Sequence, residues 1–118
     1  MTLFKHKFPF HQRYDEASRI LLKYPDMVPI ICEKSKKDPS NKLLEKNKYL
    51  VPHNLTIGQF MYVIRKNLKL PAENAIFLFI NGFIPPASAL ISNLYDNHKD
   101  TDKFLYISYS FENTFGVN

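Results

Sequence analysis

Four kinds of residue in this 118-residue chain could carry chemistry: one cysteine, four histidines, a close pair of aspartates and three glycines. Cys32 would need a neighbouring base to act as a nucleophile, yet it closes the apolar run Val28-Pro-Ile-Ile-Cys32 with no histidine near it in sequence. That setting reads as a buried structural thiol. His6, His11, His53 and His98 lack metal-ligand spacing with cysteine or carboxylate partners, so no metal site and no cofactor are expected. Asp100 and Asp102 precede a strand-like segment and read as a solvated turn rather than as an acid–base pair. Gly58, Gly82 and Gly116 stand apart, whereas a phosphate cradle needs clustered glycines. The chain is expected not to be an enzyme.

The elements that would hold these residues belong to a folded domain. With 45% hydrophobic and 23% charged residues, the chain has the apolar content that offsets ordering entropy, which disordered sequences lack. Ten Phe and seven Tyr without Trp imply an aromatic core suited to strands. A single cysteine excludes an intramolecular disulfide framework and points to a reducing compartment, the cytoplasm. Lysines and Pro9 interrupt the first ten residues where a signal peptide needs an unbroken apolar stretch. No later segment approaches the ~18 apolar residues of a membrane span, so membrane association would require a modification or a partner. A formal charge of +5 favours acidic partners of some kind.

Along the chain, Leu3, Phe4 and Phe8 allow a short first helix, which Pro9 must separate from the next. Gln12 to Tyr24 places Ala17, Ile20, Leu21 and Tyr24 at helical spacing and is stopped by Pro25. Met27 to Glu33 reads as a strand, with Pro29 easier to place at a sheet edge than in its middle. The polar loop Ser35 to Lys42 leads to a hairpin partner, Lys48 to Pro52, whose alternation sets Lys48 and Leu50 on one face and Tyr49 and Val51 on the other. Thr56 caps a helix carrying Ile57, Phe60, Ile64 and Leu68. Ala75 to Ile80 is a buried strand closed by the turn pair Asn81-Gly82, Leu90 to Tyr95 a short helix, and Phe104 to Tyr109 the last strand. This order predicts an α+β fold, a mixed sheet crossed by a helix in the β-grasp arrangement.

The ordered series Lys23-Tyr-Pro-Asp26, Val28-Pro29, Lys48-Tyr-Leu-Val-Pro52, Thr56-Ile-Gly-Gln-Phe60, Ile64-Arg-Lys66, Ile84-Pro-Pro86, Phe104-Leu-Tyr106 and Glu112 through Gly116 resembles the autophagy ubiquitin-like modifiers, the GABARAP and light-chain-three group. The resemblance runs from Phe8 to Gly116. It implies a ubiquitin-like β-grasp with two additional N-terminal helices: a helical part (residues 1–26), a core (27–110) and a flexible tail (111–118) within one compact domain. It further implies that a cysteine protease cuts between Gly116 and Val117, removing Val117-Asn118. Activating and conjugating enzymes then join Gly116 covalently to phosphatidylethanolamine. The product would act in autophagosome formation, on autophagosome or related vesicle membranes.

The same resemblance implies capture of short aromatic-x-x-aliphatic motifs on cargo receptors and adaptors by strand addition along Lys48 to Leu50. It assigns an aromatic pocket to Glu16, Ile20, Pro29, Ile31, Lys48, Leu50 and Phe104. An aliphatic pocket falls to Tyr49, Val51, Pro52, Leu55, Phe60 and Val63, and contacts to an acidic flank fall to Lys46 and Lys48. Three positions depart from the common pattern. Met27 stands where a basic residue often helps hold the acidic flank, Asn67 replaces a frequent arginine, and Phe111 is bulkier and more apolar than usual. The first two imply weaker charge dependence, and the sequence gives no reason for the third. Other classes remain: a basic RNA-binding module, though the lysines are dispersed and no RNA-recognition motif is present, or an unconjugated peptide-binding ubiquitin-like module.

Overall fold

The computed structural model describes residues 3–112, so Gly116 and Val117 lie outside the described residues. The elements are α1 (Phe4–Lys7), α2 (Phe10–Lys23), β1 (Met27–Lys34), β2 (Lys48–Pro52), α3 (Ile57–Asn67), β3 (Phe77–Phe79), α4 (Ile91–His98) and β4 (Leu105–Ser110). The strands form one mixed sheet in the order β2-β1-β4-β3. β1 runs antiparallel to β2 and parallel to β4, and β3 runs antiparallel to β4. This is the β-grasp arrangement expected from the sequence.

β1 is interior, so Pro29 stands in a middle strand and not at an edge, contrary to expectation. Alternation of the ladder explains why this is tolerated. Cys32 donates its N–H to the Asn47 carbonyl at 2.8 Å, so the even-numbered amides of β1 face β2 and the odd-numbered ones face β4. β4 pairs only from Ile30 onward, and the missing N–H of Pro29 therefore takes no bond from the ladder.

Two apolar clusters cover the two faces of the sheet. Val28, Ile30, Cys32, Tyr49, Val51, Leu105 and Ile107 pack with Ile57, Phe60 and Ile64 of α3 and with Ile91 of α4. On the other face, Ile31 and Phe104 pack with Phe4 and Ala17, under α1 and α2. The Phe4 ring meets Phe104 edge-on at 5.4 Å and Phe8 at 5.1 Å. α3 begins with a capping box: Gln59 N–H donates to Thr56 Oγ1 at 3.2 Å, and Thr56 N–H donates to Gln59 Oε1 at 2.9 Å. β3 is shorter than the apolar run Ala75–Ile80, because β4 ends at Ser110 opposite Phe77 and, among the described residues, offers Ala75 and Ile76 no ladder partner. Asn81 and Gly82 both take positive φ (49° and 84°), and Ile80 and Phe83 exchange backbone bonds of 2.9 and 3.0 Å across them. That is the two-residue turn for which an Asn-Gly pair is suited.

One reading of the acidic residues fails. Asp102 is not in a solvated turn: it has no exposed surface and binds Arg13 Nη1 at 3.1 Å, the Phe104 N–H at 2.9 Å and the Tyr106 hydroxyl. It joins α2 to the start of β4 across 89 residues of sequence. Asp100 does lie at the surface, bonded to Lys5 Nζ at 2.7 Å.

Candidate motif-binding site and tail base

Among the described residues, β2 has a neighbour on one side only, leaving the other edge of the strand open. The register pairs Tyr49 with Ile30 and Val51 with Val28, and those β1 residues point their amides at β2. Tyr49 and Val51 therefore spend their backbone groups on β1, while the N–H and C=O of Lys48 and Leu50 face outward. Their side chains divide as alternation requires. Tyr49 and Val51 are buried toward α3, and Lys48 and Leu50 are half-buried on the α2 side.

An added strand carrying apolar residues three apart must send them to opposite faces, since an odd separation reverses side-chain direction. Apolar residues stand on both faces. On the α2 side, Ile31 and Phe104 are fully buried and form the floor, Pro29 is buried beside them, and Ile20 and Glu16 of α2 make a half-buried wall. The Lys48 ammonium pairs with Glu16 and stands 5.5 Å from the centre of the Phe4 ring. On the α3 side, Tyr49 packs edge-on against Phe60 at 5.5 Å, with Leu55 half-buried and Pro52 and Val63 exposed at the rim. The residues assigned by resemblance thus divide between the two faces of the sheet, and Ile31, Phe60 and Phe104 among them have no exposed surface.

Four features here were not legible in the sequence. Asn67 donates to the Tyr49 hydroxyl at 3.3 Å, which gives the departure at that position a place beside the aliphatic pocket. Burial pushes the Tyr49 phenol upward, keeping it a neutral hydroxyl. Lys46 does not lie with Lys48: its ammonium stands 5.3 Å over the Tyr49 ring, so the two cations serve different rings. Beside Lys48, a cavity walled by Phe4, Lys7, Phe8, Leu44, Glu45 and Asn47 extends the site toward α1 and adds the Lys7 ammonium.

Cys32 is fully buried, and burial, reinforced by the charge of Glu33, holds its thiol far above the ordinary range. No thiolate is available for nucleophilic attack. Among the described residues, no group of three or more His, Cys, Asp or Glu side chains is placed to hold a metal, and no helix is long and apolar enough to cross a membrane.

The chain leaves the sheet at Ser110, where Phe111 turns its ring against Tyr109 at 5.9 Å and packs on the larger cluster. The aromatic at position 111 is therefore a packing residue at the base of the tail.

Residues 12–116 match the family model described as the autophagy protein Atg8, ubiquitin like. A relative named autophagy-related protein 8 from Kluyveromyces marxianus is 55% identical over 115 residues, covering 98% of this chain and 92% of its own length. Another of that name from Candida albicans is 55% identical over 113 residues, covering 96% of this chain and 83% of its own length. Among solved structures, Trypanosoma brucei ATG8 superposes with a TM-score of 0.86 at 39% identity, covering 93% of this chain and 94% of that one.

Proposed function

The chain belongs to the Atg8 family of ubiquitin-like autophagy proteins, and from that premise we propose that it is conjugated through Gly116 to phosphatidylethanolamine and, so anchored, recruits cargo receptors. In this reading a cysteine protease first frees the Gly116 carboxylate by removing Val117-Asn118. The activating and conjugating enzymes then carry Gly116 as a thioester, and the lipid amine displaces the thiol to form an amide. Two acyl chains, at about 0.8 kcal/mol per buried CH₂, suffice to hold a chain without a spanning segment on a membrane. The protein divides between the cytoplasm and autophagosome or related vesicle membranes according to whether it carries the lipid.

The observation that carries the recruiting role is the open edge of β2, with half-buried Leu50 on one face of the sheet and Tyr49 and Val51 packed on the other. An aromatic-x-x-aliphatic segment added to that edge bonds to the outward backbone groups of Lys48 and Leu50 and seats one side chain on each flank. Each buried side chain contributes roughly 1.5–3 kcal/mol. With strand bonds added and ordering costs subtracted, affinities near micromolar, about −8 kcal/mol, are reached.

Intact mass spectrometry of the chain from autophagy-competent cells, beside a Gly116→Ala control, tests conjugation. Loss of Val117-Asn118 followed by the mass of phosphatidylethanolamine is expected in the parent alone. An unmodified parent, under conditions that process another family member, would leave an unconjugated peptide-binding module as the better account.

A further inference from the structure

The loop between β1 and β2 is built around the point where the chain leaves β4. Asp38, 4% exposed, accepts the Ser40 N–H on Oδ1 at 2.7 Å, and on Oδ2 the Ser110 hydroxyl at 2.8 Å and the Phe111 N–H at 2.6 Å. Lys34 Nζ donates to the carbonyls of Asp38 and Ser40, both at 2.6 Å. Farther along the loop, the Tyr109 hydroxyl accepts the Leu44 N–H at 3.1 Å and donates to the Lys42 carbonyl at 3.0 Å. The Ser110 hydroxyl, its one proton given to Asp38, also accepts the Glu112 N–H at 3.2 Å. A carboxylate buried in a loop is costly unless fully bonded, and this one is bonded on both oxygens.

Resting on the processing of Gly116 proposed above, we propose that Asp38 is a positioning residue for that processing: it clamps Ser110 and Phe111 and so fixes the direction in which the tail leaves the domain. Gly116 lies four residue steps beyond Glu112, and a chain of that length reaches at most about 14 Å. Over so short a reach, the angle at the base decides how often the scissile bond meets an active site while the protease grips the domain. The effect is one of effective concentration and needs no contact between Asp38 and the enzyme. It acts on capture and not on the bond-breaking step, since the seated tail is the same with or without the clamp.

The test is cleavage of the full-length chain, as parent and as Asp38→Ala, by a cysteine protease that trims another family member, read as loss of Val117-Asn118. KM should rise about tenfold in the variant while kcat stays within about twofold, the pattern of lost preorganisation. The affinity of an aromatic-x-x-aliphatic peptide for β2, whose assigned contacts do not include Asp38, should not change. If Asp38→Ala does not fold, Asp38→Asn carries the test, because its amide must turn an NH₂ toward either the Ser40 or the Phe111 N–H. Kinetics equal to the parent's overturn the positioning role and leave processing intact. A KM that rises together with the peptide's Kd reports a general loss of fold and also overturns it. A parent that is not cleaved refutes the processing reading and the clamp's role with it.

Discussion

At Asp102 a fully buried carboxylate meets a guanidinium, a phenol and a backbone amide. Asp102→Ala leaves the 8%-exposed Arg13 without its counter-charge, and removing one partner of a buried pair typically costs about 3–5 kcal/mol. Urea denaturation of the variant should show a loss of that size, with the slope of the transition unchanged. None of this could be read from Asp100-Thr-Asp102, because the partner lies 89 residues away and only the docking of α2 brings it near. Asp38 permits a prediction of sign. Burial pulls its carboxyl upward, but the amides of Phe111 and Ser40 and the hydroxyl of Ser110 outweigh it and lower the pKa to about 2 from 3.8. A folded-state pKa below the unfolded one stabilises the fold above pH 3.8, and that contribution is lost as pH falls toward 2. Acid titration of the parent and of Asp38→Asn should therefore diverge above pH 4 and converge near pH 2, as followed by far-UV circular dichroism.

The elements were legible wherever period and caps agreed. The bounds of β2 and the capped start of α3 match expectation, since alternation at Lys48–Pro52 and the pairing of Thr56 with Gln59 are local signals. α4 runs on to His98, beyond the expected Tyr95, because Asp96-Asn-His98 has no apolar period; His98 is held instead by the Phe83 ring at 5.0 Å and by Asn81 at 3.3 Å. The pocket assignments rest on resemblance alone: no pattern within Glu16, Ile31 and Phe104 says that α2, β1 and the start of β4 converge. Two substitutions separate stability from binding at this scale. Thr56→Ala removes the cap of α3 and should cost about 1 kcal/mol, a fall of a few degrees in Tm, with motif affinity preserved. Leu50→Ala trims a half-buried side chain on the open strand. It should leave Tm nearly unchanged while weakening an aromatic-x-x-aliphatic peptide by about tenfold, or roughly 1.4 kcal/mol, in calorimetric titration.

For the molecule as a whole, a formal charge of +5 and an open strand edge suggest that charge dominates recognition of acidic partners, but the placement of the cations argues otherwise. Lys48 is already paired with Glu16, and its side chain keeps 41% of its exposure. An incoming carboxylate must therefore share that ammonium and remains in contact with water. Lys46 stands over Tyr49, the strand position facing α3, and Met27 supplies no charge at the first residue of β1. Exposed ion pairs of this kind contribute roughly 0.2–1 kcal/mol each and are screened over about 8 Å at physiological salt. Raising sodium chloride from about 50 to 500 mM should therefore weaken a motif peptide with an acidic flank only a few-fold, and leave one whose acids are replaced by amides nearly unaffected. A binder that tracked phosphates with the whole basic surface would instead lose affinity steeply over the same range, by orders of magnitude for six or more contacts. The shallow slope belongs to a surface whose affinity comes from two apolar pockets and a shared strand, and fluorescence anisotropy with the two peptides distinguishes it from the steep one.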